Sequence, residues 1–475
     1  MRQPHRSFLE RSHSILLERI ALPLADLHFR QGLMPRLRFL EKAQWWPRER
    51  ILEMRDQGIR ALVATVEREV PVYAKLWAEH GVRASQVRTA ADLAAFPVVT
   101  KETFRPFDEL AMTRQTGYRR FRSYSSGSTG KNFFVIEDPP TSGIGRASLL
   151  LAMRWAGWNF GEHHLQTGMS AVRSLDRRLK DWFLSCYYVS SCDLKDSTLD
   201  RHLEVMEQND IRHIMGYPGT LFYLARQAER RGWNIPLISI LTWGDNLLPE
   251  ERVIIEKVFN TVVNDTYGCS EGLHVCAQNG GKDYLIFSTD VLVEFINEFG
   301  KPASSEERAS LILTRIHPGP MPMVRYHVGD YGVQGANVAS QCGRGFETMQ
   351  SIIGRDTEYV ETPTGNRLLN HFFTGCISKY GDIETFQVVQ RTSESLTIKL
   401  KPNGTTRPET IAQLSATLHE RGAQDMKIDF EIVHEIPLTA GGKRRLIVRD
   451  PAFAANNPIT NSKDPYSHEI DGETI

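Results

Sequence analysis

The sequence predicts an α/β protein in two parts: a large N-terminal α/β domain, about residues 1–354, and a smaller, mobile α+β domain, about 355–452. Three patterns carry that expectation. Apolar residues recur at helical spacing through residues 8–80, a strand–helix–strand succession occupies residues 236–267, and past residue 354 strands and one amphipathic helix form a separate set.

In the lead-in, which extends to about residue 100, Ile15, Leu16, Leu17, Ile20, Leu22 and Leu24, then Ile51, Met54, Ile59, Leu62, Val63 and Val66, repeat with the period of a helix. The stretch 33–46 is apolar and basic together, which suits a helix on a membrane surface or, the preferred reading, a lid packed on the main domain. From about residue 120 short apolar runs alternate with helices. Residues 236–243 read as a strand, Pro249–Phe259 as a helix with proline near its start and acids in its first turn, and 261–267 as a strand again. Beyond residue 285, strand patterns at 286–296 and 310–316 lead to a turn at Pro318-Gly319-Pro320. In the second part, 384–390 and 396–401 are strand-like, 408–420 helical, and 427–433 alternates with period two. Residues 453–475 are polar and expected to be disordered.

Hydrophobic residues make up 41% of the 475, enough for a packed core. Lys+Arg and Asp+Glu are both 57, so overall charge gives no general attraction to nucleic acid or to acidic membranes, although local basic patches are compatible with it. Six scattered cysteines with no CxxC pair argue against a disulfide framework, and no secretory leader or membrane-spanning run is seen, so the expected location is the cytoplasm.

Five segments could carry chemistry. Ser125-Ser126-Gly127-Ser128-Thr129-Gly130-Lys131 lies between two strand-like runs; its glycines free backbone N–H groups, its hydroxyls add donors and its lysine adds charge, a composition suited to polyphosphate. Its glycine spacing is not that of a Walker loop, and a flexible hairpin loop is the plain alternative. Tyr267-Gly268-Cys269-Ser270-Glu271-Gly272 fits the G-x-S-x-G pattern of a nucleophile elbow through Ser270, but the residues after it begin a helix poorly. The preferred reading gives Tyr267 an aromatic face for a base and Glu271 a carboxylate for a hard cation such as Mg²⁺. A third segment, residues 322–330, reads as a strand closing on a Gly329-Asp330 turn, where an acid can accept from the two hydroxyls of a ribose. The other two are Ile353-Gly354-Arg355-Asp356 at the domain boundary and the loop at 437–445 bearing Lys443.

Together, in this order, these segments resemble the adenylate-forming superfamily of acyl-CoA synthetases, luciferases and peptide-synthetase adenylation domains. Glu69-Val70-Pro71-Val72-Tyr73, Asp92-Leu93 and Phe96-Pro97-Val98-Val99-Thr100-Lys101 are similar to the phenylacetate-CoA ligase and CapK-like branch. The resemblance implies ATP, Mg²⁺ and CoA as cofactors, a carboxylic acid substrate and a homodimer. It implies that the loop at 125–131 holds ATP phosphates, with Ser128 and Thr129 as donors and Lys131 as charge. Gly244 and Asp245 line the adenine site opposite Tyr267, Glu271 binds Mg²⁺, Asp330 binds the ribose and Arg355 sits at a hinge. Lys443 enters when the small domain closes, and residues near Tyr217-Pro218-Gly219, Trp243 and Gly268 border the acyl pocket.

Two departures stand out. Thr357 replaces one of a usual acidic pair after the hinge, and Cys342 remains alone of a Cys-x-Cys, leaving His274, Cys276 and Cys342 as a weaker zinc candidate than ordinary buried thiols and a surface histidine. His163 and His164 are read as hydrogen-bonded structural histidines, Arg444 and Arg445 as solvated or salt-bridged, and Trp182, Tyr187 and Tyr188 as core or interface. The expected reaction is AMP-forming activation of an acid followed by thioester formation with CoA. The rivals are transfer to an amine or sugar in surface-polysaccharide assembly, a serine hydrolase acting through Ser270, and a non-catalytic scaffold.

Overall fold

The computed structural model describes residues 8–125, 133–168, 173–191, 196–269, 272–336, 342–355, 359–364, 367–369, 373, 376–377, 380–404, 408–436 and 446–450. Ser126, Gly127, Ser128, Thr129, Gly130, Lys131, Ser270, Glu271, residues 356–358, Lys443, Arg444, Arg445 and the polar tail lie outside them. The chain divides into two compact units. The first holds the residues up to Leu247 and Ile254–Ile353; the second holds Leu248–Val253 and the described residues from Gly354 onward.

The first unit opens with helices Phe8–Leu16 and Leu22–Phe29, joined through Leu17–Ala21, then Leu33–Ala43, Arg48–Glu69 and Pro71–Glu79. Arg48–Glu69 buries Ile51, Ile59, Leu62, Val63 and Val66, spacings that keep them on one side of a helix. Pro71 stands in the first turn of its helix, where the N–H it lacks has no intrahelical partner to lose. Leu33–Ala43 buries Met34, Leu37, Leu40 and Ala43 and packs against helix Pro139–Ala156. Of the two readings of residues 33–46, the structure has the packed helix.

Strands β1 (Phe121–Ser125) and β2 (Phe133–Glu137) form an antiparallel hairpin, with Ser125 level with Phe133 and residues 126–132 between them outside the described residues. The main sheet contains β3 (His164–Gly168), β4 (Cys186–Ser190), β5 (His213–Gly216), β6 (Ser239–Thr242), β7 (Val263–Cys269) and β8 (Leu273–Gln278). It continues with β9 (Tyr284–Ile286), β10 (Val291–Ile296), β11 (Arg308–Arg315), β12 (Tyr326–Gln334) and β13 (Thr348–Arg355). Among the described residues its order is β10-β11-β12-β13-β9-β8-β7-β6-β5-β3-β4. Strands β4, β3, β5, β6 and β7 are parallel, and β7–β8, β8–β9, β9–β13, β10–β11 and β11–β12 are antiparallel pairs.

The parallel part arises from the expected βαβ pattern: helices Asp196–Gln208, Pro218–Arg230 and Pro249–Phe259 alternate with its strands, and their apolar sides share one core with Leu165, Ile214 and Ile240 of the sheet. The antiparallel part wraps a second core that unites Val275 of β8, Leu311 and Leu313 of β11 and Tyr326 and Val328 of β12 with the lead-in residues Leu62, Tyr73 and Trp77.

Two expectations need correction. Residues 286–296 are not one strand, because the backbone turns at Phe287–Asp290, where Asp290 N–H bonds to the Phe287 carbonyl at 2.8 Å. Gly329-Asp330 is not a terminal turn but lies inside β12. There the pairing slips between Ser310 and Ile312 of β11, so extra residues bulge from the β12 side, with Gly329 at φ 83°.

In the second unit, β14 (Tyr359–Glu361) pairs with β15 (Arg367–Leu369). A sheet of β16 (Ile383–Gln390), β17 (Ser395–Pro402), β18 (Lys427–Ile432) and β19 (Ile447–Arg449) has the order β18-β17-β16-β19. Helix Pro408–Leu418 buries Leu414 and Leu418 against Val388, Leu396, Ile398 and Leu400.

Candidate active site

The carboxyl ends of four parallel strands come level in one place. β4 and β5 flank β3 on opposite sides, a reversal of winding that leaves a crevice at the strand ends in open α/β sheets. Met215 is level with Gln166 and Leu241, and Thr242 with Gly216 and Asp265, so the residues just past these positions share one rim.

Glycines let the backbones approach there. A Cβ on Gly216 would fall 1.8 Å from Thr167 Oγ1, and that hydroxyl accepts the Tyr217 N–H at 2.9 Å. Gly244, two residues past the end of β6, has φ 82°, and a Cβ on it would lie 2.5 Å from Tyr217 Cε1. Glycine is therefore required twice over, by conformation and by the tyrosine ring against it. Gly244 and Asp245 are exposed, and continuing the register from Thr242 and Asp265 brings Gly244 level with Tyr267. Thr266 Oγ1, bonded to the Thr242 carbonyl at 2.8 Å, holds the two strand ends together.

Tyr267 reaches the opposite side of the curl. Its hydroxyl donates to Asp330 Oδ2 at 2.6 Å. In sheet order β7 and β12 are four strands apart, which in a flat sheet is about 19 Å, so the bond requires the antiparallel part to bend back on itself. Burial, and then the neighbouring Asp330 carboxylate, push the Tyr267 hydroxyl well above its ordinary pKa, so it stays protonated and donates. Asp330 is only 7% exposed.

A third group was not anticipated from the sequence. Glu137, at the end of β2 and 6% exposed, accepts from Ser123 Oγ at 3.0 Å and lies 3.9 Å from Arg315 Nη2. Both press on Gly272: a Cβ there would fall 2.0 Å from Glu137 Oε1 and 3.0 Å from Arg315 Nη2. The base of the hairpin that carries Ser125 is thus fixed to the residue that follows Glu271. The available signal was an acid closing the apolar run 133–136 just before Asp138-Pro139, where Asp138 caps the next helix by accepting the Thr141 N–H at 3.0 Å.

The structure joins Tyr267 to Asp330 by a hydrogen bond and packs Gly244 on Tyr217, with Trp243, Gly244 and Asp245 following β6, the strand next to the one that carries Tyr267 and Gly268. Ser125 ends β1 and Arg355 ends β13, while Thr129, Lys131, Glu271 and Lys443 lie outside the described residues. An aromatic ring, bare main chain and a nearly buried carboxylate can stack on a heteroaromatic ring, hydrogen-bond its edge and accept from a diol.

Other candidates fall away from this group. A strand follows Gly272 where a nucleophile elbow needs a helix. Register slips between Tyr267 and Gly268, so Val275 is an extra residue in β8. Cys276 enters the antiparallel core, whereas His274 packs its ring on Phe287 of a different cluster. Among the described residues no three His, Cys, Asp or Glu side chains are placed to hold a metal. His164 is buried edge-on against Trp158, and burial lowers its pKa to about 4. Trp182 is 76% exposed and therefore not core.

Comparison with known proteins bears on the fold and the C-terminal domain. Residues 360–450 match the family model of the CapK C-terminal domain. Protein CapK of Staphylococcus aureus is 20% identical over 416 residues, covering 86% of this chain and 89% of that protein. The phenylacetate-coenzyme A ligase of Thermus thermophilus is 22% identical over 332 residues, 66% of this chain and 72% of the ligase. A 2-hydroxyisobutyryl-CoA ligase, solved in the postadenylation state in complex with R3-HIB-AMP, superposes with a TM-score of 0.70 at 15% identity. That superposition covers 88% of this chain and 94% of that one, a likeness of fold. The chain thus carries a CapK-like C-terminal domain, counts CapK and a phenylacetate-coenzyme A ligase among its relatives, and has the fold of acyl-CoA ligases of the adenylate-forming superfamily.

Proposed function

We propose that this protein activates a carboxylic acid with ATP, forming an acyl-adenylate and pyrophosphate, and then passes the acyl group to the thiol of CoA. The observation that carries the reading is the Tyr267–Asp330 hydrogen bond, with the bare main chain of Gly244 following the strand next to that of Tyr267. Those residues suit a nucleotide: Gly244, kept bare by its positive φ and by the Tyr217 ring against it, offers main chain, and Asp330 offers a nearly buried carboxylate. In this reading Tyr267 and Gly244-Asp245 border the adenine and Asp330 accepts from the ribose hydroxyls.

Activation is needed because a carboxylate is a poor electrophile, and its attack on the α-phosphate installs AMP as a leaving group. Negative charge builds as pyrophosphate departs. Lys443 and Lys131 are assigned to meet it, Ser125, Ser126, Gly127, Ser128, Thr129 and Gly130 to cradle the phosphates, Gly268 to border the acyl group, and Arg355 to the hinge. Mg²⁺ held by Glu271 would offset phosphate charge. The Glu137–Arg315 pair against Gly272 positions the backbone next to Glu271.

Pyrophosphate release tests the reading across aryl, fatty and sugar acids, with and without CoA. An acid-dependent burst abolished by Lys443→Ala is the expected result, and acid-independent release in both proteins would refute it. The match of residues 360–450 to the CapK C-terminal domain favours one second reading, in which the adenylate passes to an amine or a sugar. That reading requires acid-dependent pyrophosphate with no acyl-CoA product.

A further inference from the structure

Two helices of the first unit are turned against the rule that puts the apolar side inward. In Leu175–Phe183 the residue facing the protein is Asp181, buried and bonded to Arg173 at 2.8 and 2.5 Å. Leu175, Leu179 and Trp182, spaced four and three residues apart and hence in one stripe, face water instead. Leu175 is 80% exposed. The N-terminal helices bury Leu17 and rest Leu22 on the core, yet leave a second apolar side outward. Asp26 is buried, its carboxylate accepting from the backbone N–H groups of Leu33 and Met34 at 2.9 Å each, while Leu16, Ile20, Leu24 and Leu27 are exposed, Leu27 by 77%.

Arg146 adds a further cation near the first stripe, its Nη1 donating to Gln31 Oε1 at 3.2 Å just past the N-terminal helices. The fringe of both stripes is cationic. Arg19, Arg30 and Arg38 are exposed beside the first, and Arg177, Arg178 and Lys180 outnumber the exposed Asp176 beside the second, whereas Glu18 is paired with Arg154 and Asp26 and Asp181 are buried. Leu27 also lines a hollow with Pro23 and Tyr118, and Arg30 and Arg38 stand at its edge, an apolar floor beside two cations. In a chain of zero net charge this excess is local.

We propose that this face binds the surface of an anionic phospholipid membrane, its leucines and Trp182 entering the acyl boundary and its arginines meeting lipid phosphates. No helix among the described residues is long and apolar enough to cross a membrane, so the contact is with the surface. A second copy of the chain would set the same arginine fringe against itself, a repulsion that an anionic surface turns into attraction. The inference does not depend on the proposed reaction.

The test is flotation of the full chain with vesicles of phosphatidylcholine alone or with about one third phosphatidylglycerol. Binding should be roughly tenfold or more tighter to the anionic vesicles and should fall with added salt. Leu24→Glu with Leu27→Glu, and Leu179→Glu with Trp182→Glu, should each weaken it about tenfold or more while leaving the melting temperature unchanged, because the sites are exposed. Arg177→Gln with Arg178→Gln keeps the apolar stripe and should weaken binding about fivefold or more, a check that survives poor folding of a glutamate variant. Absence of binding to anionic vesicles, or binding indifferent to all three double variants, overturns the proposal. So does a dimer in sedimentation that the glutamate variants dissociate, since a second copy would then cover the face.

Discussion

Tyr267 and Asp330, 63 residues apart in sequence and with three strands of the sheet between theirs, share a hydrogen bond of 2.6 Å. Asp330 is nearly buried, so loss of the Tyr267 hydroxyl takes a donor from a carboxyl group with little access to water. Tyr267→Phe should lower the rate of ATP-dependent pyrophosphate release about tenfold, chiefly through a higher KM for ATP. Asp330→Ala, which would also remove the acceptor for a ribose, should cost on the order of a hundredfold. If both variants keep the parent KM for ATP, the pair has no part in nucleotide binding.

How much of this was legible in the sequence depends on the kind of signal. Pro249–Phe259 was read with its full bounds, because proline and two acids mark its start as strongly as periodicity marks its body. The break between β9 and β10 carried no such mark: Ser288, Thr289 and Asp290 turn the chain without glycine or proline, and all three are buried. A bulge is equally silent. Val275 sends His274 and Cys276 into different cores, although their spacing of two predicts a shared side. Glycines of the site were visible as letters, but the tyrosine ring that makes Gly244 obligatory sits 27 residues away and is visible only in the fold. Periodicity showed that Leu175–Phe183 is amphipathic and could not show that Asp181, rather than the leucines, faces inward.

Gly244→Ala is a test of the strand-end rim. The alanine would meet Tyr217 Cε1 at 2.5 Å and adopt φ 82°, a conformation that costs about 1–3 kcal/mol in itself. Adding Tyr217→Ala should relieve the collision and leave the backbone cost, so the two substitutions should be less damaging together than their separate effects summed. Thermal unfolding of the four proteins measures this, and strict additivity would mean that the ring does not pack on Gly244.

Glu137 and Arg315 bury opposite charges against Gly272. Removing one partner takes the opposite charge away from the other in a buried site, so Glu137→Ala and Arg315→Ala should each destabilise the first unit by about 3–5 kcal/mol. Replacing both, Glu137→Gln with Arg315→Met, should recover much of that loss in denaturant unfolding. Recovery of stability without recovery of pyrophosphate release would assign the pair to positioning the segment that contains Glu271; full recovery of both would leave it a purely structural role.

His274 makes the clearest case for pH. Burial lowers its pKa to about 4, against an ordinary value of 6.5, and its Nε2 is buried with no hydrogen-bond partner beside the Phe287 ring. The folded protein therefore holds this imidazole neutral, and below pH 6.5 the unfolded chain takes up a proton that the folded chain refuses. Stability should fall as the medium is acidified from about pH 6.5 towards 4, by on the order of 2–3 kcal/mol from this residue alone, with further losses from His164 and His317, which burial also lowers to about 4. His274→Leu keeps an apolar shape against Phe287 and removes the titrating group. Its stability should match or exceed the parent at pH 7, because no hydrogen bond to Nε2 is lost, and should exceed it increasingly below pH 6. Denaturant unfolding at a series of pH values gives the comparison directly: parallel curves for parent and variant would mean that His274 titrates normally in the folded protein, and the sheet at β8 would then have to admit water.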